Sequence, residues 1–214
     1  MEKQPKDNKH PQPILALITG VIGFIGCVTI VVADLTASFI VKDYNPISET
    51  ISDLAAGERS WILDNGIQIF ALGVIACSLG LYLWNLDKNK IRWMSASILL
   101  FLLGIDIIII ARHNAYGDGV PTGTEIHIYL VYFLGIAFAL ITWLFANGFK
   151  SISQFWSRLS LGIGILWLFL APLFFFAPTS WNGAYERFLG VIMITWFLSI
   201  IWLLIMHRSG KQVT

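Results

Sequence analysis

Charge is what this chain has least of. Aspartate, glutamate, lysine and arginine make up 13% of its 214 residues, against about 25% in an ordinary soluble domain. A water-facing surface of this size needs more charge than that, so a soluble globular protein is excluded. Cysteine is almost as scarce. Cys27 and Cys77 both lie inside apolar runs, and no CxxC or Cys/His cluster accompanies them. A zinc knuckle and a disulfide framework are therefore excluded, and the two thiols read as small buried hydrophobes. The net charge of +1 excludes a strongly basic nucleic-acid binder. No GxSxG, P-loop or dinucleotide fingerprint is present, which removes the familiar signatures of those chemistries. Internal repeats and low-complexity tracts are missing too.

What fills the chain is apolar: hydrophobic residues reach 57% and the mean hydropathy is +0.73. Six runs, at roughly 14–40, 62–85, 93–112, 127–148, 159–178 and 187–206, are each long enough to cross a hydrocarbon core, which takes about 20 helical residues. The fold expected is an all-α bundle of six transmembrane helices over residues 13–208, between a flexible tail at 1–12 and a short tail at 209–214. The first run follows Lys3, Lys6 and Lys9 but is longer than a signal-peptide core and has no small-x-small cleavage site directly after it, so it is read as a retained span. An even number of spans puts both termini on one side. Lys3, Lys6, Lys9, Lys88, Lys90, Arg92, Lys150, Arg158, Arg208 and Lys211 fall there, and Lys42, Arg59, Arg112 and Arg187 on the other. This asymmetry predicts cytoplasmic termini in the cytoplasmic membrane. The acids divide the opposite way: three (Glu2, Asp7 and Asp87) lie inside and ten outside, so the halves carry +7 and −6.

The first outer loop, KDYNPISETISDLAAGERS at 42–60, has the marks of a short amphipathic helix. Asn45 is a cap, Pro46 suits the first helical position and Gly57 is a stop. Ile47, Ile51 and Leu54 form one apolar stripe. Glu49 and Asp53, four residues apart, project from another face with Ser52 beside them. They read either as a solvated face or as groups pointing into a cavity between the spans.

Ionisable residues inside spans are costly and are candidates for function. Asp34 sits near the outer end of the first span, Asp64 and Gln68 begin the second, and Asp106 is the deepest charge of the third, followed by Arg112 and His113. His127 opens the fourth span, with Thr122 or Thr124 as its cap and Glu125 in the first turn. Glu186 and Arg187 open the sixth. Arg187 is expected to pair with Glu49, Asp53 or Asp106. These groups read either as polar ties between helices or as the lining of an outer-facing pocket. The ligand-binding candidates are Glu49, Ser52, Asp53, Asp106, His127, Glu186 and Arg187. If the protein is an enzyme, Asp53, Asp106 and His127 are the candidate catalytic groups. No ligand-spacing motif supports a metal site, and the sequence identifies no cofactor. Pro172 and Pro178 in APLFFFAP are expected to kink the fifth span and open space beside it.

The string Asn45-Pro46-Ile47-Ser48-Glu49-Thr50-Ile51-Ser52-Asp53-Leu54-Ala55-Ala56-Gly57 after a first span, His127 at the head of the fourth and Gly183-Ala184-Tyr185-Glu186-Arg187 at the head of the sixth together resemble a bacterial and archaeal membrane family labelled a domain of unknown function (number 998). The resemblance covers nearly the whole chain and implies a six-helix bundle without supplying an activity. Through the Pro-Ile-Ser string the chain is more distantly similar to the Frag1/DRAM/Sfk1 membrane proteins, which implies a link to lipid handling.

The function expected is an outer-facing polar pocket that binds a lipid headgroup or small amphiphile, with membrane lipids as partners, or service as an accessory subunit beside a membrane-protein partner. The rivals are a membrane enzyme acting on a lipid or isoprenoid through His127 and an acid, a transporter carrying protons on Asp106 and Glu186, and a structural subunit of a larger complex.

Overall fold

In the computed structural model, residues 13–57, 59–113 and 121–206 are described, with the side chains of residue 13 and residues 121–125 left aside. The chain forms seven helices among the described residues: α1 (Pro13–Ile40), α2 (Ile51–Ala55), α3 (Ser60–Trp84), α4 (Lys90–Arg112), α5 (Pro121–Phe149), α6 (Gln154–Leu173) and α7 (Asn182–Met206). Two 3₁₀ turns, Phe174–Phe176 and Thr179–Trp181, join α6 to α7. No strand occurs among the described residues. All helices except α2 are long and apolar enough to cross a membrane, so this is an integral membrane protein with the expected six-span bundle. Both tails, most of the third loop and the Thr122 and Thr124 side chains lie outside the described residues.

The helices pack as a ring in the order α7, α1, α3, α4, α5, α6, and the seam between α6 and α7 is its loosest joint. The α1–α3 contact is close because small residues meet there. A Cβ on Gly26 would lie 3.2 Å from the Gly73 Cα, nearer than ordinary packing allows, so backbone meets backbone. The centre is aromatic. Trp93 packs edge-on against Phe145 at 4.8 Å, and Phe138 edge-on against Trp167 at 4.8 Å, the arrangement that ring quadrupoles favour. The buried indole N–H groups of Trp93 and Trp196 have acceptors. Trp93 donates to the Leu81 carbonyl at 2.6 Å, and Trp196 donates to Ser160 at 3.0 Å, whose hydroxyl continues to the Thr142 carbonyl at 2.7 Å. Outside, large apolar side chains such as Phe39, Leu72, Ile136, Phe169 and Val191 are exposed along the spans. That surface suits hydrocarbon and not water.

At one end of the bundle α2 folds back onto the spans. Leu54 and Ala55 are buried against Ala33 and Ala37 of α1 and Leu63 of α3, a small second core below the main one. The opposite end carries, among the described residues, the short 85–89 and 150–153 connections. There Asp87 holds Arg92 at 2.7 Å and takes the Asn89 amide N–H at 2.9 Å.

Candidate functional site

The loop that carries α2 is shaped by polar groups spent on its own backbone. Asn45 accepts the Ile47 N–H at 3.0 Å in a tight turn and presents its own N–H to the Glu49 carboxylate at 2.6 Å. The Glu49 N–H closes on the Asn45 carbonyl at 2.8 Å. Helix α2 then starts from Thr50, not from Asn45, and runs only to Ala55. The Thr50 hydroxyl accepts the Asp53 N–H at 3.0 Å, and the Asp53 carboxylate accepts the Thr50 N–H at 2.8 Å. This is a capping box, which satisfies two otherwise orphaned donors reciprocally. The helix expected from Asn45 to Gly57 is therefore shorter, because Pro46–Glu49 form a turn whose carbonyls are used elsewhere. Glu49 and Asp53 bind the loop's own amides, and neither lines the cavity described below.

Those carbonyls are taken by the head of α7. Gly183 lies directly beneath the loop: a Cβ there would run into the Glu49 and Pro46 carbonyl oxygens, so only glycine fits. The Ala184 N–H donates to the Ile47 carbonyl at 2.9 Å. One turn on, the Arg187 guanidinium donates to Pro46 O at 2.9 Å, Glu49 O at 3.2 Å and Tyr44 Oη at 2.8 Å. It also grips Asp34 of α1 with two bonds, at 3.0 and 2.8 Å. This fork-to-carboxylate geometry is the strong one for arginine. The partner of Arg187 is thus Asp34, and not Glu49, Asp53 or Asp106. Tyr44 completes the clamp by sharing its hydroxyl hydrogen between the Glu49 and Thr50 carbonyls at 2.9 and 2.8 Å. Burial pushes its phenol up to about 12, against the Arg187 hydrogen bond and charge that pull the other way.

Beside the clamp, three candidates meet. Ser52 Oγ lies 3.3 Å from His127 Nε2 of α5 and 3.4 Å from Glu186 Oε1 of α7. The other carboxylate oxygen of Glu186 accepts the Ile51 N–H at 2.5 Å. His127 is only 6% exposed, and its Nδ1 stands 3.2 Å from the His113 carbonyl. A carbonyl can only accept, so Nδ1 bears the hydrogen in neutral His127 and Nε2 keeps its lone pair.

This trio heads a cavity of about 550 Å³ between α5, α6 and α7, at the loose seam of the ring. Its walls are apolar, including Leu134, Trp167, Ala171, Leu189 and Met193, and the lining includes Gly135 and Gly190. Exposed Tyr132, Ile136, Leu168, Phe175 and Phe176 also belong to the lining, so the cavity opens sideways onto the lipid-facing surface. Pro172 is in the wall as well, followed by the helix end and 3₁₀ turn that leave room beside α6.

Of the seven ligand-binding candidates, the structure brings Ser52, His127 and Glu186 together at the cavity. Arg187 serves the neighbouring clamp. Asp106 is 4% exposed inside α4 and is not part of the cavity lining; its Oδ2 has no hydrogen-bond partner among the described residues. Asp53, Asp106 and His127 therefore do not form one constellation. Arg112 and His113 are exposed at the end of α4. No group of three metal-ligating side chains gathers among the described residues. Sequence reasoning missed the clamp roles of Asp34 and Tyr44. The available signal was depth: Asp34 near the end of α1 and Arg187 near the start of α7 lie at similar distances from the same end of the bundle.

Residues 24–203 match the family model described as "Protein of unknown function (DUF998)". No curated protein and no solved structure matches.

Proposed function

This chain belongs to the DUF998 family, and we propose that it binds a single-chain amphiphile drawn from the bilayer, with the polar head at Ser52, His127 and Glu186. The observation that carries this reading is the contrast within one cavity: apolar walls throughout and three hydrogen-bonding side chains at one end. Its volume of about 550 Å³ falls in the range of small-molecule sites, about 300–1,000 Å³. The lateral mouth supports entry from lipid, since an alkyl chain reaches it without crossing water. The excess of basic residues toward the termini supports an orientation with cytoplasmic tails and the α2 end outside, which sets the polar trio at the level of the outer headgroups.

The clamp supports the same reading. Ser52 is carried by a five-residue helix, too short to persist alone. Arg187, Gly183 and Tyr44 hold that helix at a fixed height over His127 and Glu186, so the head of the site is preorganised.

The test is photo-crosslinking of the full chain in lipid nanodiscs with a single-chain alkyl alcohol bearing a diazirine near the chain end. Saturable adducts on cavity residues such as Leu168, Phe175 and Met193, competed by unlabelled alcohol, are expected. Adducts spread over lipid-facing positions such as Val31, Leu72 and Leu198, with no competition, would contradict the proposal.

A further inference from the structure

We propose that Ser52 is a nucleophile and His127 its general base, acting on a carboxylic ester of a long-chain acid seated in this cavity. The inference rests on the amphiphile reading above and adds chemistry to it. Most other hydroxyls in the bundle are spent on nearby carbonyls, while Ser160 crosses to the Thr142 carbonyl and Ser157 Oγ has no partner among the described residues. Thr29, Ser78, Ser97, Ser151, Thr195 and Ser199 each donate to a carbonyl three or four residues back, as polar side chains in apolar helices commonly do. Ser52 departs from this pattern. Its hydroxyl faces two ionisable side chains from distant helices, His127 Nε2 at 3.3 Å and Glu186 Oε1 at 3.4 Å.

The histidine is oriented for the task. The His113 carbonyl 3.2 Å from Nδ1 fixes the hydrogen there and leaves the Nε2 lone pair toward Ser52. A nucleophile, a base within reach and a third group holding the base in one tautomer are the parts that activate a serine. Here a backbone carbonyl takes the third role. Glu186 is a positioning residue. It accepts the Ile51 N–H at 2.5 Å with one oxygen and approaches the Ser52 hydroxyl with the other, tying α2 to α7 directly beside the nucleophile. The apolar cavity receives the acyl chain and brings its ester carbonyl to the polar end.

The step balances as follows. Ser52 Oγ bonds to the ester carbonyl carbon while its proton passes to His127 Nε2. The tetrahedral adduct collapses, the bond to the alcohol oxygen breaks, and that oxygen takes the proton from His127. Water then adds to the acyl-Ser52 carbonyl with His127 again accepting the proton; the bond between the acyl carbon and Ser52 Oγ breaks, Oγ takes the proton back from His127, and the carboxylic acid leaves. One ester and one water become one acid and one alcohol.

The experiment uses the full chain in nanodiscs with a fluorescent alkyl fluorophosphonate, 4-nitrophenyl decanoate and a radiolabelled non-cleavable alkyl ether. Phosphonylation mapped to Ser52 and release of nitrophenol are expected. Both should fall about a hundredfold or more in Ser52→Ala and His127→Gln, while Ser52→Ala melts like the wild type. Thr195→Ala, remote from the trio, should label as the wild type does. Should Ser52→Ala fail to fold, Ser52→Cys keeps a nucleophile at the same place, and an alkyl chloromethyl ketone should alkylate it. Ether binding without Ser52 labelling, or labelling unchanged in His127→Gln, would overturn the catalytic inference and leave the binding reading standing. Loss of ether binding in the wild type would overturn both.

Discussion

Replacing Arg187 by lysine keeps the positive charge and removes the fork. The guanidinium distributes its donors over Asp34, Tyr44 and the carbonyls of Pro46 and Glu49, whereas an ammonium has three hydrogens on one atom. At least two charge-assisted bonds are lost, at about 1.5–3 kcal/mol each. The side chains of Arg187 and Asp34 are 20% and 17% exposed, so part of the loss is screened, and a total of about 2–4 kcal/mol is reasonable. That energy holds the loop to α7. A sensitive reporter is the Ala184 amide, which donates to the Ile47 carbonyl across this junction; as the third residue of α7 it has no acceptor within that helix. If exchange proceeds through loop opening, hydrogen–deuterium exchange at Ala184 should accelerate by roughly 30- to 1,000-fold, at 1.36 kcal/mol per decade. Peptides in the middle of α4 should not change. Protection of Ala184 within about threefold of wild type in a correctly folded Arg187→Lys protein would refute the clamp.

Three further outcomes follow from the same geometry. Gly183→Ala drives a Cβ into the Glu49 and Pro46 carbonyls. It should cost about 1–3 kcal/mol, read as faster exchange at Ala184 and weaker amphiphile binding. Thr50→Ala removes one arm of the capping box and should destabilise α2 by about 1 kcal/mol, seen as faster proteolysis within residues 42–57 at an almost unchanged global melting temperature. At the opposite end, burial acts to raise the Asp87 carboxyl, but the Arg92 guanidinium and the Asn89 N–H outweigh it and hold it below the usual carboxylate range. Its folded value lies below the unfolded one, so its contribution is full above about pH 4 and is lost as pH falls through the folded value. Melting curves in nanodiscs should therefore show a shallower acid loss for Asp87→Asn than for the wild type.

The spans were legible because an apolar helix must satisfy a length set by the bilayer, and each run of the sequence meets it. Their ends were less so. Helices α3 and α4 begin at Ser60 and Lys90, in polar residues that hydropathy assigns to loops. The existence of α2 was legible from the apolar spacing of Ile51 and Leu54 in the loop. Its start was not, because Asn45 and Thr50 are both good caps and only the docking of Pro46–Glu49 onto α7 decides between them. Partners across the bundle were the least accessible. Helical spacing says that Glu186 and Arg187 point apart, and they do: one faces Ser52, the other Asp34. Which helix each meets depends on α7 packing against α1 on one side and facing the cavity on the other, and nothing local encodes that. Asp106 shows the same limit, since sequence gives its depth but not its azimuth, and it does not line the cavity.

The most direct test of the binding site uses Gly190, which lines the cavity and where an added Cβ would meet nothing within 4 Å. Gly190→Phe should fill the space without disturbing the helix packing. Equilibrium binding of the radiolabelled alkyl ether to the full chain in nanodiscs should be saturable for the wild type and at least tenfold weaker for a Gly190→Phe protein that melts normally. Equal binding by the two would contradict the assignment of this cavity as the amphiphile site.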